Sequence, residues 1–256
     1  MKTPNPARAR APWARCLLLA ALAGAAAGSG SARAALVLRG GGLIYDTVLN
    51  VTWLADMNHA QTQYQDSGGA LGTANGHMDW AQANLWAAGL DYGGYSDWRL
   101  PTTLQPDASC SSQADPGNGA GTQSSGTGCT GSEMGHLFYA DLGGRAGESL
   151  LDPTGDSAQE LANLALFTNV ADDFGAGLFW SATAYAPAPG AAWMFYMSSG
   201  LQSALNTGFQ LRALAVRDGD SGSQVPEPST ALLAGAALLL ALKAQAPCSQ
   251  FLISTV

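Results

Sequence analysis

The chain has 256 residues, 47% of them hydrophobic, and carries 19 Asp and Glu against 11 Lys and Arg, a formal net charge of −8. The imbalance is steeper inside: residues 36–218 hold five arginines, seventeen acidic residues and no lysine, a net charge near −12. With no basic patch, nucleic acid and anionic lipid surfaces are poor partners, and an acidic surface suits an exported, soluble protein whose ligands are cations or neutral sugars.

Residues 1–34 have the pattern of a secretory signal peptide. Arg8, Arg10 and Arg15 supply a positive start, residues 17–27 an apolar core, and Ala32-Arg33-Ala34 an A-x-A site, so cleavage is expected between Ala34 and Ala35. The apolar core is too short for a spanning anchor and runs straight into small residues. Residues 35–218 then have the length of one ordinary domain.

That domain opens with β signals. Residues 36–38, a Gly40-Gly41-Gly42 hinge, and residues 43–45 and 51–54 around the turn 46–50 predict a strand and a hairpin. Residues 58–77 are polar and predict a loop. Asp79 is placed to cap a helix over 80–88, with Gly89 as its stop and Trp80, Ala83 and Ala87 on one face. Two S/T-x-x-E boxes predict further helices: Thr130 to Glu133 before Met134, Leu137, Phe138 and Leu142, and Ser157 to Glu160 before Leu161 and Leu164. Residues 178–184, 192–198 and 209–217 alternate as strands, separated by 187–190 and the glycine-bounded 200–208. Residues 219–224 form a Gly/Ser/Asp linker. The order predicts a single α+β domain with an antiparallel sheet and two or three short helices.

Cys110 and Cys129 flank a Ser/Gly/Asn-rich loop. In an oxidising compartment they are expected to pair, closing roughly 20 residues and contributing about 3 kcal/mol in the chain-entropy model. Two cysteines without a histidine at ligand spacing do not make a zinc site. Arg99, inside an apolar run, is expected to be structural and buried against Glu133 or Asp97, the alternative being an anion-binding arginine. Glu133-x-x-His136 reads as a cap and a surface histidine; no metal or cofactor is expected. His59, His77 and His136 form no H-E-x-x-H, and Gly219-Asp220-Ser221-Gly222 reads as linker because no catalytic histidine region accompanies it. Six tryptophans fall in the domain, most of them in core seams. Trp86 lies off the helix seam and has two readings, core packing or, with Tyr92 and Tyr95, a sugar-stacking platform.

Asp79-Trp80-Ala81-Gln82-Ala83-Asn84, then Gly94-Tyr95-Ser96-Asp97-Trp98-Arg99-Leu100-Pro101-Thr102, Phe179-Trp180-Ser181-Ala182-Thr183 and the closing Ala213-Leu214-Ala215-Val216-Arg217 resemble the Lcl C-terminal domain family of bacterial collagen-like adhesins. The resemblance implies a C-type-lectin-like fold and glycan binding, with Trp80, Trp98, Arg99, Leu100, Pro101, Trp180 and Arg217 as structural motif residues. It does not imply calcium: Gln105-Pro106-Asp107 echoes a lectin calcium tripeptide but lacks the partnering strand motif.

Residues 225–243 join Pro226-Glu227-Pro228 to the apolar run 231–242 and Lys243, and resemble the PEP-CTERM sorting signal. The run gives roughly 18 Å of helix against a hydrocarbon core of about 30 Å. The family's arginine cluster is replaced by Lys243 alone, followed by an atypical tail, 244–256. The resemblance implies handling by the secretion machinery and an exosortase, transient anchoring in the inner membrane of a Gram-negative bacterium, and release to the cell surface or matrix. The expected function is a non-enzymatic envelope or biofilm-matrix protein that binds exopolysaccharide or another glycan. The alternatives are an enzyme on the same scaffold, akin to formylglycine-generating oxidases, and a purely structural matrix protein.

Overall fold

Strands β1 (Leu36–Gly40), β2 (Leu43–Asp46) and β3 (Val51–Leu54) form an antiparallel meander. The computed structural model describes residues 36–171, 175 and 177–222. The cleavage pair Ala34-Ala35, the motif Pro226-Glu227-Pro228 and the apolar run after it lie outside the described residues. No helix among the described residues is long and apolar enough to cross a membrane.

The first turn of the meander needs Gly42, which sits at φ +78 and would place a Cβ 2.4 Å from the Tyr92 hydroxyl. The second is tied by Asp46, whose Oδ1 accepts from the backbone N–H groups of Val48 and Leu49, each at 2.9 Å. Far along the chain, β11 (Val216–Asp218) pairs antiparallel with β3, so the sheet reads β1-β2-β3-β11 and both ends of the domain meet in it. The chain stays packed beyond Asp218: Gly219 donates to the Asn50 carbonyl, and Ser221 is buried against Thr52 and Arg217.

A second sheet has the order β4 (His77–Met78), β10 (Leu211–Arg212), β7 (Leu178–Ala184), β8 (Ala191–Tyr196), β9 (Leu201–Asn206). Its pairs are antiparallel except β10–β7. A two-stranded hairpin, β5 (Ser112–Ala114) with β6 (Gln123–Ser125), lies inside the loop closed by the Cys110–Cys129 disulfide, which is formed as expected. The described residues thus make a mixed α+β fold with mostly antiparallel sheets and four short helices.

Three of those helices follow the sequence signals, with changes. Helix α2 (Trp80–Ala88) has the expected span and a full capping box between Asp79 and Gln82. Its Gly89 ends the helix at φ −93, so the stop is not a left-handed glycine. Helix α4 (Ala158–Leu164) carries the expected Ser157–Glu160 box. Helix α3 (Glu133–His136) does not use the Thr130–Glu133 box: its cap residue is Ser132, Glu133 turns away to Arg99, and the helix widens into a π turn over Leu137–Asp141. A further helix occupies part of the polar segment that predicts a loop. Helix α1 (His59–Asp66) buries only Ala60, so it has no apolar seam to announce it.

The strand pattern differs from expectation in two places. Residues 201–206, within an expected connection, are β9, paired with β8 over six positions. Residues 209–217, one strand by their alternation, divide between the sheets: β10 enters the second and β11 the first. Buried side chains form three clusters. One cluster packs Ile44, Trp53, Leu137, Phe138, Phe179 and Phe195 around α3; a second packs Ala83 and Ala87 of α2 against Trp180 and Met194; a third joins Leu43, Leu54, Leu90, Trp98 and Ala215.

Candidate functional site

The segment Trp98-Arg99-Leu100-Pro101 is the joint between the two sheets. Arg99 N donates to Val216 O at 2.8 Å and Val216 N returns to Arg99 O at 2.9 Å; two residues later Pro101 O accepts from Ala182 N of β7 at 2.8 Å. Leu100 and Trp98 are buried, and Trp180 is fully so, its indole N–H donating to Met78 O. Between the sheets Arg99 holds Glu133 through both nitrogens, at 2.8 and 2.7 Å, and also meets Asp218. Of its two expected partners Glu133 is the one used; Asp97 pairs instead with Arg217, at 2.7 and 2.8 Å. That bond holds the Asp97 carboxyl below its ordinary range. These motif residues are architecture, with every charged tip paired.

The three candidate ligand-binding rings, Trp86, Tyr92 and Tyr95, all pack against the third core cluster. Trp86 is half-buried between two core clusters and donates its indole N–H to Gln63 Oε1 at 3.0 Å. Tyr92 packs edge-on against His59, with ring centres 4.7 Å apart. The Tyr95 hydroxyl donates to Ser221 O, and the Arg217 guanidinium lies over its ring at 4.0 Å. Tyr95 also lines a small cleft of about 300 Å³ with Arg39 and Leu43, where Arg39 is paired with Asp220. Trp86 and Tyr92 are linked through His59, and Tyr92 and Tyr95 exchange backbone hydrogen bonds at 3.0 and 3.1 Å, while Arg217 and Ser221 engage the Tyr95 side chain.

A larger open groove, about 450 Å³, lies at the end of the second sheet. It is lined by Trp80, Tyr185, Asp79, Ala188, Pro189 and Thr207 among others. The Trp80 ring is fixed by its indole N–H on Ser181 O at 2.7 Å, and Tyr185 stands edge-on against Trp193 at 5.2 Å. Two held aromatic side chains beside a polar capping residue, with small residues around them, make a surface on which a flat apolar face can rest. The sequence marks Trp80 as motif architecture only, and Tyr185 carries no sequence signal, because the two meet only when β7 packs on α2.

The tripeptide Gln105-Pro106-Asp107 has no free carboxylate to offer. Asp107 is buried and accepts from Ser109 and from Gly131 N–H, while Gln105 clamps Ser124 through both ends of its amide. Ser221 of the Gly-Asp-Ser-Gly sequence has its hydroxyl held by Arg217 Nη1.

A last group has no counterpart among the sequence expectations. At the end of β2, Asp46 is fully buried; at the end of the π turn, so is the Asp141 side chain; and His136 Nε2 lies 3.7 Å from Asp141 Oδ2. The i→i+5 turn brings Asp141 back alongside His136. Burial, then the neighbouring Asp46 carboxyl, push Asp141 up to about 8. The expected cap and surface histidine of Glu133-x-x-His136 are therefore corrected: Glu133 binds Arg99 instead of capping, and His136 is largely buried beside Asp141.

The chain matches no family model, no curated protein and no solved structure.

Proposed function

We propose that this chain is an exported, non-enzymatic glycan-binding domain of the Lcl C-terminal type, with a C-type-lectin-like fold and a PEP-CTERM tail. The observation that carries the binding role is the Trp80–Tyr185 groove. It is open, framed by two aromatic rings held from behind, and set in a domain that offers no lysine to an anionic ligand. A neutral or weakly charged polysaccharide fits that chemistry, since sugar C–H faces stack on aromatic rings. The fold assignment rests on the motif residues, on the meeting of both domain ends in one sheet, and on the long disulfide-closed loop.

Affinity electrophoresis of the full chain in gels containing the producer's exopolysaccharide tests this. Tyr185→Ala is expected to weaken retention by about 1–3 kcal/mol, and Ala188→Arg, at an exposed position on the groove, to block it without touching the core. Trp86→Ala and Tyr95→Ala should lower the melting temperature more than the retention, because both rings are already engaged. Unchanged mobility of the unmodified protein across a broad glycan panel would leave the purely structural matrix role.

A further inference from the structure

We infer that Asp46, His136 and Asp141 form a site for a single first-row transition-metal ion, with zinc the ion that suits it. The site joins two segments 90 residues apart in sequence. Asp46 Oδ2, both carboxylate oxygens of Asp141 and His136 Nε2 are all buried, and none has a hydrogen-bond partner. Asp46 and Asp141 are 0% and 1% exposed. Three orphaned carboxylate oxygens and one imidazole nitrogen in one small space would be an expensive arrangement if nothing bound them together.

The geometry suits one cation. A ligand atom from each of the three residues lies within 4.8 Å of the others. Metal–ligand bonds of about 2.0–2.2 Å place such atoms roughly 3–4.4 Å apart, so small side-chain rotations close the shell. A proton shared between the two carboxyls would engage one oxygen of each, leaving an Asp141 oxygen and His136 Nε2 unserved. Direct pairing of His136 with Asp141 at 3.7 Å is too long for a hydrogen bond. The donor set of one imidazole and two carboxylates selects against calcium, which takes oxygen ligands, and toward ions that accept nitrogen.

The surroundings hold the ligands in place. Asp46 is oriented because its other oxygen, Oδ1, is occupied by Val48 and Leu49 N–H. Asp141 is oriented by the π turn and by Asn163, whose amide donates to its backbone carbonyl at 2.8 Å. His136, at 15% side-chain exposure, is the ligand nearest the surface and so the side from which an ion enters. The cysteines do not compete, since Cys110 and Cys129 are bridged. The expectation of no metal, drawn from the absence of H-E-x-x-H, misses this set because its members come from a strand end and a widened helix.

The test uses the full chain, stripped with chelator and titrated separately with zinc, manganese and calcium chlorides. Melting temperature, and bound metal by elemental mass spectrometry, are the readouts. One equivalent of zinc should bind and raise the melting temperature by roughly 5–10 °C at a hundredfold excess over Kd. Asp141→Asn, Asp46→Asn and His136→Gln should each weaken binding at least tenfold. Both Asn replacements are near-isosteric, and the amide oxygen that Asp46→Asn introduces can still accept from Val48 and Leu49. X-ray absorption on the zinc-loaded unmodified chain gives a readout independent of how the variants fold, and should show a nitrogen and oxygen shell containing imidazole. Substoichiometric binding, stabilisation by calcium alone, a sulfur ligand in the absorption spectrum, or undiminished affinity in Asp141→Asn would each overturn the assignment.

Discussion

Asp56 shows how a single side chain replaces a missing pattern. Burial raises its pKa, yet the nearby His59 imidazole, 3.8 Å away, and hydrogen bonds from Thr62, Asn169 and Asn58 N–H outweigh this and hold it at about 2. That depression contributes about 2 kcal/mol above the ordinary carboxylate range, and the contribution is lost as pH falls from about 4 to about 2. Urea melts at pH 6 and pH 3 should therefore differ by more in the unmodified chain than in Asp56→Asn. The isolated α1 sequence, with Ala60 its one buried residue, gives no hint of this anchor. Gly135 is a second case at this scale: an added Cβ would stand 1.8 Å from the Cys129 carbonyl oxygen, a backbone atom that cannot step aside. Gly135→Ala is expected to cost about 1–3 kcal/mol or more by overpacking, measured as a shift in the denaturation midpoint.

At the scale of elements, legibility followed locality. The Asp79–Gln82 and Ser157–Glu160 caps involve groups three residues apart, and both helices start where the sequence places them. Ser157→Ala should lower stability by about 1 kcal/mol. The Thr130–Glu133 box offers the same local signal and fails, because Glu133 gains a bidentate arginine by turning to Arg99. A charge-assisted pair outweighs one capping bond. Arg99→Met should destabilise the domain by about 3–5 kcal/mol by stranding the Glu133 carboxylate, whose side chain is 14% exposed, and Glu133→Gln combined with it should recover part of the loss. Strand β9 is not legible since its flanking glycines resemble a loop, while its pairing with β8 is a property of the β8–β9 hairpin as a whole.

For the whole molecule, the disulfide and the sheet joint set stability together. Cys110–Cys129 closes the loop carrying β5 and β6, and α3 packs directly behind Cys129. Reduction should cost about 3 kcal/mol, read as a lower denaturation midpoint, and peptide mapping without reductant should recover one linked fragment. The address is tested at the same scale. Exported protein should begin at Ala35, and replacing Pro226-Glu227-Pro228 by alanines should leave the protein membrane-held in cells with an exosortase. Equal release of that variant would count against the sorting role.

By itself the sequence determined the α+β class, the α2 boundaries, the start of α4, the β7 strand and the cysteine pair, because capping, alternation and loop closure are local or nearly so. It also narrowed Arg99 to an ion pair, since an arginine in an apolar run must find a carboxylate. Tertiary structure decided which carboxylate, split residues 209–217 between two sheets, and set Trp86, Tyr92 and Tyr95 against one core cluster. It alone brought Trp80 to Tyr185, and Asp46 to His136 and Asp141. Those groups are distant in sequence, and the forces that join them are burial and the satisfaction of buried polar atoms, which act only once the two sheets have closed on each other.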